Sequence, residues 1–393
     1  MKKSTIITIL AFVLGIIVLA AGFILLTDNN ISRKLFETTT TAPEPPAEPT
    51  AMDLYNMDMS QFVTLGEYKN MTIETEQIEV SDEELEMQIK VLLAINKEYD
   101  EISEGTISEK VIFNFDFEGF FENEDGTKGE AFQGGKGEKQ LAYFEGTDFY
   151  TIGSSGITPF IDGFAQGINN KNVGETFDIH ITFPENYSPE MAGKKTIFTV
   201  TINYIAQTKF TDEWVKTFSE GAQETCDEYR EYVRKTVNDI FKESNTVLLW
   251  EKIMDNATVI EIPQQQIDYV YSEFRKEVEN YAQMFGVTYE EFLKSGYAAY
   301  FLGINYTTEA EIIEAIKESL TYEIVRLAVV QAEGIVATDE EYGIMLETLV
   351  EQMGKTEEEV LQQYSEEYIR QQIVLNKLDG VVYDLNNFVL KTE

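Results

Sequence analysis

The sequence is poor in the side chains on which most enzyme chemistry depends. Of its 393 residues, one is cysteine and one is histidine. A lone Cys226 excludes an intrachain disulfide and a thiolate zinc cluster. The lone His180 lies in "FDIHITF", where Phe177, Ile179, Ile181 and Phe183 alternate with Asp178, His180 and Thr182. A period of two predicts a strand with His180 on its polar face. Neither a Ser-His-Asp or Cys-His nucleophile nor a histidine-based metal site is therefore expected, and no cofactor is called for. Basic residues are also scarce: 30 Lys and Arg stand against 70 Asp and Glu, a formal charge of −40. Nucleic acid and anionic surfaces would repel such a chain. The acidic tract "ENEDGTKGE" (122–130) lacks the alternate ligands and closing Glu of a calcium loop. It reads as a hairpin tip turning at Asp125-Gly126. No glycine-rich phosphate loop is present.

What the chain does have is apolar and aromatic mass, 43% and 12% of its residues, enough for two or three domains with real cores. Lys2 and Lys3 precede "IITILAFVLGIIVLAAGFILL", an uncharged run from Ile6 to Leu26. At 1.5 Å per residue, a helix of that length matches the hydrocarbon core of a bilayer. The expectation is a cytoplasmic tip (1–5), a single transmembrane anchor (6–26) and an extracytoplasmic remainder at a bacterial cell membrane. The Ala20-Ala21-Gly22 stretch leaves cleavage of the anchor open. Residues 27–60 include "ETTTTAPEPPAEPTAMD" and read as a disordered Thr/Pro-rich stalk.

A connecting strand and helix follow in 61–104. Ser81 and Glu84 have capping-box spacing ahead of Leu85, Ile89 and Leu92. Residues 105–208 read as a β-rich domain, with strands in "KVIFNFDFEGFF", "DIHITF" and "KTIFTVTINYI". From 209 to 393 the period is helical. Ile312, Ile316, Leu320, Ile324 and Leu327 share one face, capping boxes are expected at Thr308/Glu311, Thr338/Glu341 and Thr356/Glu359, and C-terminal caps at Gly334 and Gly354. The fold class is α+β followed by all-α. Aromatic residues scattered through 105–208 fit an ordinary core. Phe160, Phe164 and Tyr187 stand out because they fall in turn-like segments such as "GITPFIDGF" (156–164).

Taken in order, "LGEYKNMTIETEQIEVSDEELEMQI", "DFEG", "AFQGG", "FIDGF", "VGETFDIHITFPENY" and "AGKKTIFTVTI" resemble the FKBP-type peptidyl-prolyl isomerase domain of trigger factor and the segment leading into it. "IEIPQQQIDYVYSEF" and "GIVATDEEYGIMLETLVEQMGKTEEEVLQQY" are similar to the two arms of its helical chaperone domain. The resemblance covers 65 to about 390. It implies an antiparallel FKBP-like sheet with a short helix, then a helical domain with arms. It further implies a proline pocket lined by Phe117 and Phe132, with Ile161 as a wall bearing a backbone N–H and Phe164 as its floor. Tyr187 and Phe198 would close it. An aromatic is implied at the position of Asp148, with Phe149 one step along, and "GSSGITPFIDGF" is about three residues longer than the family spacing. The family's basic ribosome-docking domain has no counterpart motif. The implied activity is a non-covalent peptidyl-prolyl isomerase and chaperone for exported polypeptides, tethered to the membrane and without ribosome or nucleic-acid binding. The alternative is a chaperone that holds clients but does not isomerise them.

Overall fold

The computed structural model describes residues 49–391, so the expected cytoplasmic tip, anchor and most of the stalk lie outside the described residues. Among the described residues, no helix is long and apolar enough to cross a membrane. They divide into two compact units, Gln77–Phe241 and the flanking segments up to Glu76 and from Lys242.

The chain enters through two 3-10 turns, Leu54–Asn56 and Met59–Gln61, and two short strands, β1 (Val63–Thr64) and β2 (Thr72–Thr75). Asp53 and Asp58 accept hydrogen bonds from the N–H groups of Asn56 and Ser60, which starts each turn. Leu54 and Met59 are 3% and 1% exposed and belong to the core of the helical unit. The stalk expected through residue 60 is thus packed at its C-terminal end. Its apolar residues are too few to show a period, but the two aspartate caps hold them in turns that bury them.

In the middle unit, α1 (Asp82–Ile95) starts at the capping box that the sequence predicts. Ser81 Oγ accepts from Glu84 N–H at 3.2 Å, and the Glu84 carboxylate accepts from Ser81 N–H at 2.9 Å. That backbone bond holds the Glu84 carboxyl below the usual range. Seven strands follow: β3 (Tyr99–Ile102), β4 (Phe113–Glu122), β5 (Lys128–Glu145), β6 (Asp148–Gly153), β7 (Gly156–Pro159), β8 (Thr176–Thr182) and β9 (Lys195–Thr208). They form one sheet in the order β3-β9-β4-β5-β6-β7, with β8 also paired to β9. A short helix, α2 (Phe164–Ile168), sits between β7 and β8. The sheet buries both faces. One carries a phenylalanine-rich cluster with α2. On the other, Met87 and Ala94 of α1 meet Tyr143, Ile152 and Ala206.

Helix α1 has a second apolar stripe, Leu85, Ile89 and Leu93, at helical spacing. This stripe packs against Phe210, Trp214, Val233, Val237 and Phe241, which lie in and beside α3 (Asp212–Phe218) and α4 (Cys226–Asn256). Residues 209–241 therefore belong with the sheet by packing, whereas helical period alone groups them with the later helices. The expected connecting segment 61–104 divides as well: its first part joins the helical unit and its second the sheet unit.

The helical unit contains the rest of α4, β10 (Thr258–Val259), α5 (Gln264–Phe285), α6 (Tyr289–Lys294), α7 (Gly296–Leu302), α8 (Glu309–Glu333), α9 (Asp339–Met353), α10 (Glu357–Gln363), α11 (Glu366–Asp384) and β11 (Asn387–Leu390). β1 pairs antiparallel with β10, and β2 pairs parallel with β11. The stripe Ile312, Ile316, Leu320, Ile324 and Leu327 is buried on α8. The expected boxes at Thr308, Thr338 and Thr356 form, as does one at Thr288/Glu291. Gly334 and Gly354 cap their helices with φ of 63° and 60°, the left-handed region. Trp250 Nε1 donates to Asp379 at 2.8 Å, and Arg326 pairs with the same carboxylate at 3.1 Å.

Glu323 on α8 is half-buried and has no hydrogen-bond or ion-pair partner among the described residues. Burial pushes its carboxyl up to about 7. A folded pKa above the unfolded one means the native state holds the extra proton. Stability is therefore fully present below the unfolded pKa and is lost as pH rises through about 7. Glu323→Gln is expected to raise the unfolding midpoint of the helical unit at about pH 8 and to leave it unchanged at about pH 4. Denaturant titrations at the two pH values check this.

Candidate functional site

The phenylalanine cluster owes its position to strand alternation. On β4, Phe113, Phe115 and Phe117 recur every second residue and point to one face; they are 0%, 0% and 8% exposed. Phe198 of β9 and Phe164 of α2 complete the centre at 3% and 0%. Phe164 lies 5.0 Å from Phe198, 6.2 Å from Phe117 and 4.7 Å from Phe160 between ring centroids, all edge-on. Edge-to-face rings at such separations add about 0.5–1.5 kcal/mol per pair beyond their buried area.

Phe132 of β5 is half-buried and meets Phe198 at 5.7 Å. Ile161 is half-buried against the same cluster. Its backbone N–H has no acceptor among the described residues, whereas the preceding Phe160 N–H is bonded to Phe149 C=O at 2.8 Å. Tyr187 is 50% exposed and reaches the cluster through Phe183, at 4.9 Å. Of the six residues expected at the site, Phe117, Phe132, Ile161, Phe164 and Phe198 thus share one cluster, with Tyr187 on its rim.

Glycines let the rings lie this close to the sheet. A Cβ on Gly137 would stand 2.3 Å from the Phe117 ring, and one on Gly119 would stand 2.5 Å from Phe132. Neither position admits a side chain unless a ring moves. Gly163 opens α2 with φ 100°, a conformation that glycine takes freely. It turns "FIDGF" back over the sheet so that Phe160 and Phe164 meet.

Phe149 and Phe183 were not among the residues expected at the site. Phe149 is 2% exposed and stands 5.5 Å from Phe164, while Asp148 is exposed. The aromatic expected at position 148 is thus supplied by its neighbour. The register Phe144↔Phe149 and Tyr143↔Tyr150 fixes this, and alternation out from Phe144 is the signal that finds it. Phe160 and Phe183 bridge the cluster to its rim. The added residues before Phe160 form an edge hairpin: β7 pairs with β6 from Gly153↔Gly156 to Tyr150↔Pro159, around Ser154-Ser155.

Around the rings there is little acid–base chemistry. Asp116 accepts from Lys139 N–H at 2.6 Å, and Asp178 pairs with Lys128 at 2.7 Å. His180 lies on the polar face of β8, with Nδ1 3.1 Å from the Glu122 carboxylate. Among the described residues, no group of three His, Cys, Asp or Glu is arranged to hold a metal ion. Burial, together with Asp212, pushes the Cys226 thiol up to about 11, which leaves it a poor nucleophile. What the arrangement offers is a packed aromatic cluster with a half-exposed tyrosine at its rim and one backbone N–H without an acceptor among the described residues.

Two family profiles match the chain: FKBP-type peptidyl-prolyl cis-trans isomerase over residues 104–203, and bacterial trigger factor protein C-terminus over 225–380. The trigger factor of Caldicellulosiruptor saccharolyticus is 30% identical over 338 residues, covering 81% of this chain and 70% of its own. That of Lachnoclostridium phytofermentans is 29% identical over 321 residues, covering 76% and 68%. A solved trigger factor chaperone, described for promiscuous substrate recognition in folding and assembly, aligns over 82% of this chain and 72% of its own. Its identity of 18% and TM-score of 0.34 are too low to carry an argument.

Proposed function

The chain belongs to the trigger factor family, as a chaperone with an FKBP-type isomerase domain, and on that premise we propose that it is a membrane-tethered foldase for exported polypeptides. The observation that carries the catalytic half is the aromatic cluster, with its bare Ile161 N–H and exposed Tyr187 rim. Phe117, Phe132, Phe164 and Phe198 would hold a prolyl ring, Ile161 would donate to the adjacent carbonyl, and Tyr187 would close over the ligand.

Rotation of an X–Pro bond faces a barrier of about 18–20 kcal/mol, because amide resonance is lost on the way. The twisted amide is less dipolar than the planar one, so a water-poor aromatic surround favours it over the ground state. A fixed N–H holds the carbonyl while the prolyl side turns. No proton moves, and no acid, base or metal is needed.

The tether rests on the uncharged run 6–26, and the extracytoplasmic location follows from it together with Lys2 and Lys3. A chain held there would work without a ribosome, on unfolded segments with X–Pro bonds. Tyr187→Ala tests the catalytic half. It is expected to lower kcat/KM on a proline peptide about tenfold, equivalent to about 1.4 kcal/mol of transition-state stabilisation. The denaturation curve should not move, because the ring is half exposed. Unchanged kcat/KM would remove Tyr187 from the site. Absence of catalysis in the parent chain would leave the chaperone that only holds clients.

A further inference from the structure

The helical unit carries a patch unlike the rest of the surface. At the C-terminal end of α5 and on α7, Met284, Phe285, Tyr297, Tyr300 and Phe301 are 80%, 40%, 48%, 82% and 47% exposed. They touch one another: Phe285 stacks on Tyr297 at 5.1 Å with planes 12° apart, and meets Phe301 at 5.1 Å. Tyr300 meets Phe301 edge-on at 4.9 Å. Beneath them, Phe292 is fully buried, so the patch has a firm base. Neither 280–289 nor 295–308 contains an Asp, Glu, Lys, Arg or His, and the charges nearest in sequence are the exposed Glu290, Glu291 and Lys294 of α6 between them.

We propose that this aromatic corner docks into the interfacial layer of the bilayer that holds the 6–26 run. The inference rests on the tethered reading above. Contiguous exposed apolar surface marks a binding face, and Tyr and Phe together suit the boundary between headgroups and acyl chains. The adjoining α6 sets one cation, Lys294, against Glu290 and Glu291, so the corner has no net electrostatic attraction to anionic lipid.

The tether reaches. Residue 50 is held at the start of α5, where Gln265 Nε2 donates to Thr50 C=O at 3.2 Å and Met52 N–H donates to Gln266 Oε1 at 2.8 Å. From there to Phe285, the helix runs about 30 Å. Between Leu26 and Pro49, the chain can extend to roughly 75 Å. The corner and the end of the apolar run can therefore lie at one surface together. Tethering raises the effective concentration to the millimolar range, so a small patch suffices.

The test uses the full chain carrying Tyr300→Trp, reconstituted into phosphatidylcholine liposomes with and without brominated acyl chains. The parent, with Trp214 and Trp250, gives the baseline. The added emission is expected to shift to the blue and to be quenched by bromine. It should lose both responses when Phe285→Ser and Phe301→Ser are added. Quenching should not depend on anionic lipid, and quenching that requires phosphatidylglycerol would overturn the proposal. So would an added signal identical in brominated and plain lipid, from chain that floats with the liposomes. If Tyr300→Ser then weakens the holding of unfolded protein, the corner is a client site. A chain that does not float sinks the anchor reading and this inference together.

Discussion

Replacing Phe164 by alanine is expected to cost the sheet unit about 3–5 kcal/mol and to abolish isomerisation. The side chain is fully buried and meets five other rings, those of Phe115, Phe117, Phe149, Phe160 and Phe198. Its loss leaves a void that the sheet cannot close, because β4 and β9 are pinned by backbone pairing on that face. Since whole-domain stability is commonly about 5–15 kcal/mol, the remainder would be marginal. Each unit has one tryptophan, Trp214 in the sheet unit and Trp250 in the helical unit. Urea titration of a Trp250→Phe background reads the first unit alone. Its midpoint should fall sharply for Phe164→Ala and only modestly for Phe164→Leu. A change below about 1 kcal/mol would mean that the rings are loosely packed, contrary to the geometry described above.

Met59→Ala should destabilise the other unit by about 2–5 kcal/mol. Met59 is 1% exposed, and its N–H donates to Gln331 Oε1 at 3.0 Å on α8. Gln331 Nε2 in turn donates to Met57 C=O at 2.6 Å. The entering turns are thus stitched to α8 by two bonds as well as by buried Leu54 and Met59. Trp250 emission in a Trp214→Phe background reads this unit. An unchanged midpoint would return residues 49–60 to an unpacked linker.

What the sequence made legible was local. The boxes at Ser81, Thr308, Thr338 and Thr356 lie within one helical turn, so their residue types alone specify them. The buried stripe of α8 and the exposed His180 follow from period alone. The short ordered motifs also brought together residues that are close in space: five of the six expected at the candidate site converge on one cluster.

What failed was whatever depended on distant pairing. Nothing local in 49–76 says that β2 lies beside β11, although Met71 N–H bonds Asn386 Oδ1 across 315 residues. Nothing in the helical period of 209–241 says that Trp214 and Val237 pack with Leu85 and Leu93. Phe149 was missed by one residue because its face is set by pairing to β5, and a slip of one residue reverses every side chain. The "GSSGIT" stretch is longer than the family spacing implies. It is an edge hairpin that leaves Phe160 and Phe164 in contact.

The central claim is that the aromatic cluster turns X–Pro bonds, and exchange NMR on a proline peptide with the full chain tests it most directly. The account predicts a cis–trans exchange rate that grows with protein concentration and falls to the uncatalysed value for Phe164→Ala. It also predicts shifts at Ile161 N–H as peptide is added. An exchange rate equal to that of free peptide, with no shift at Ile161, would contradict it.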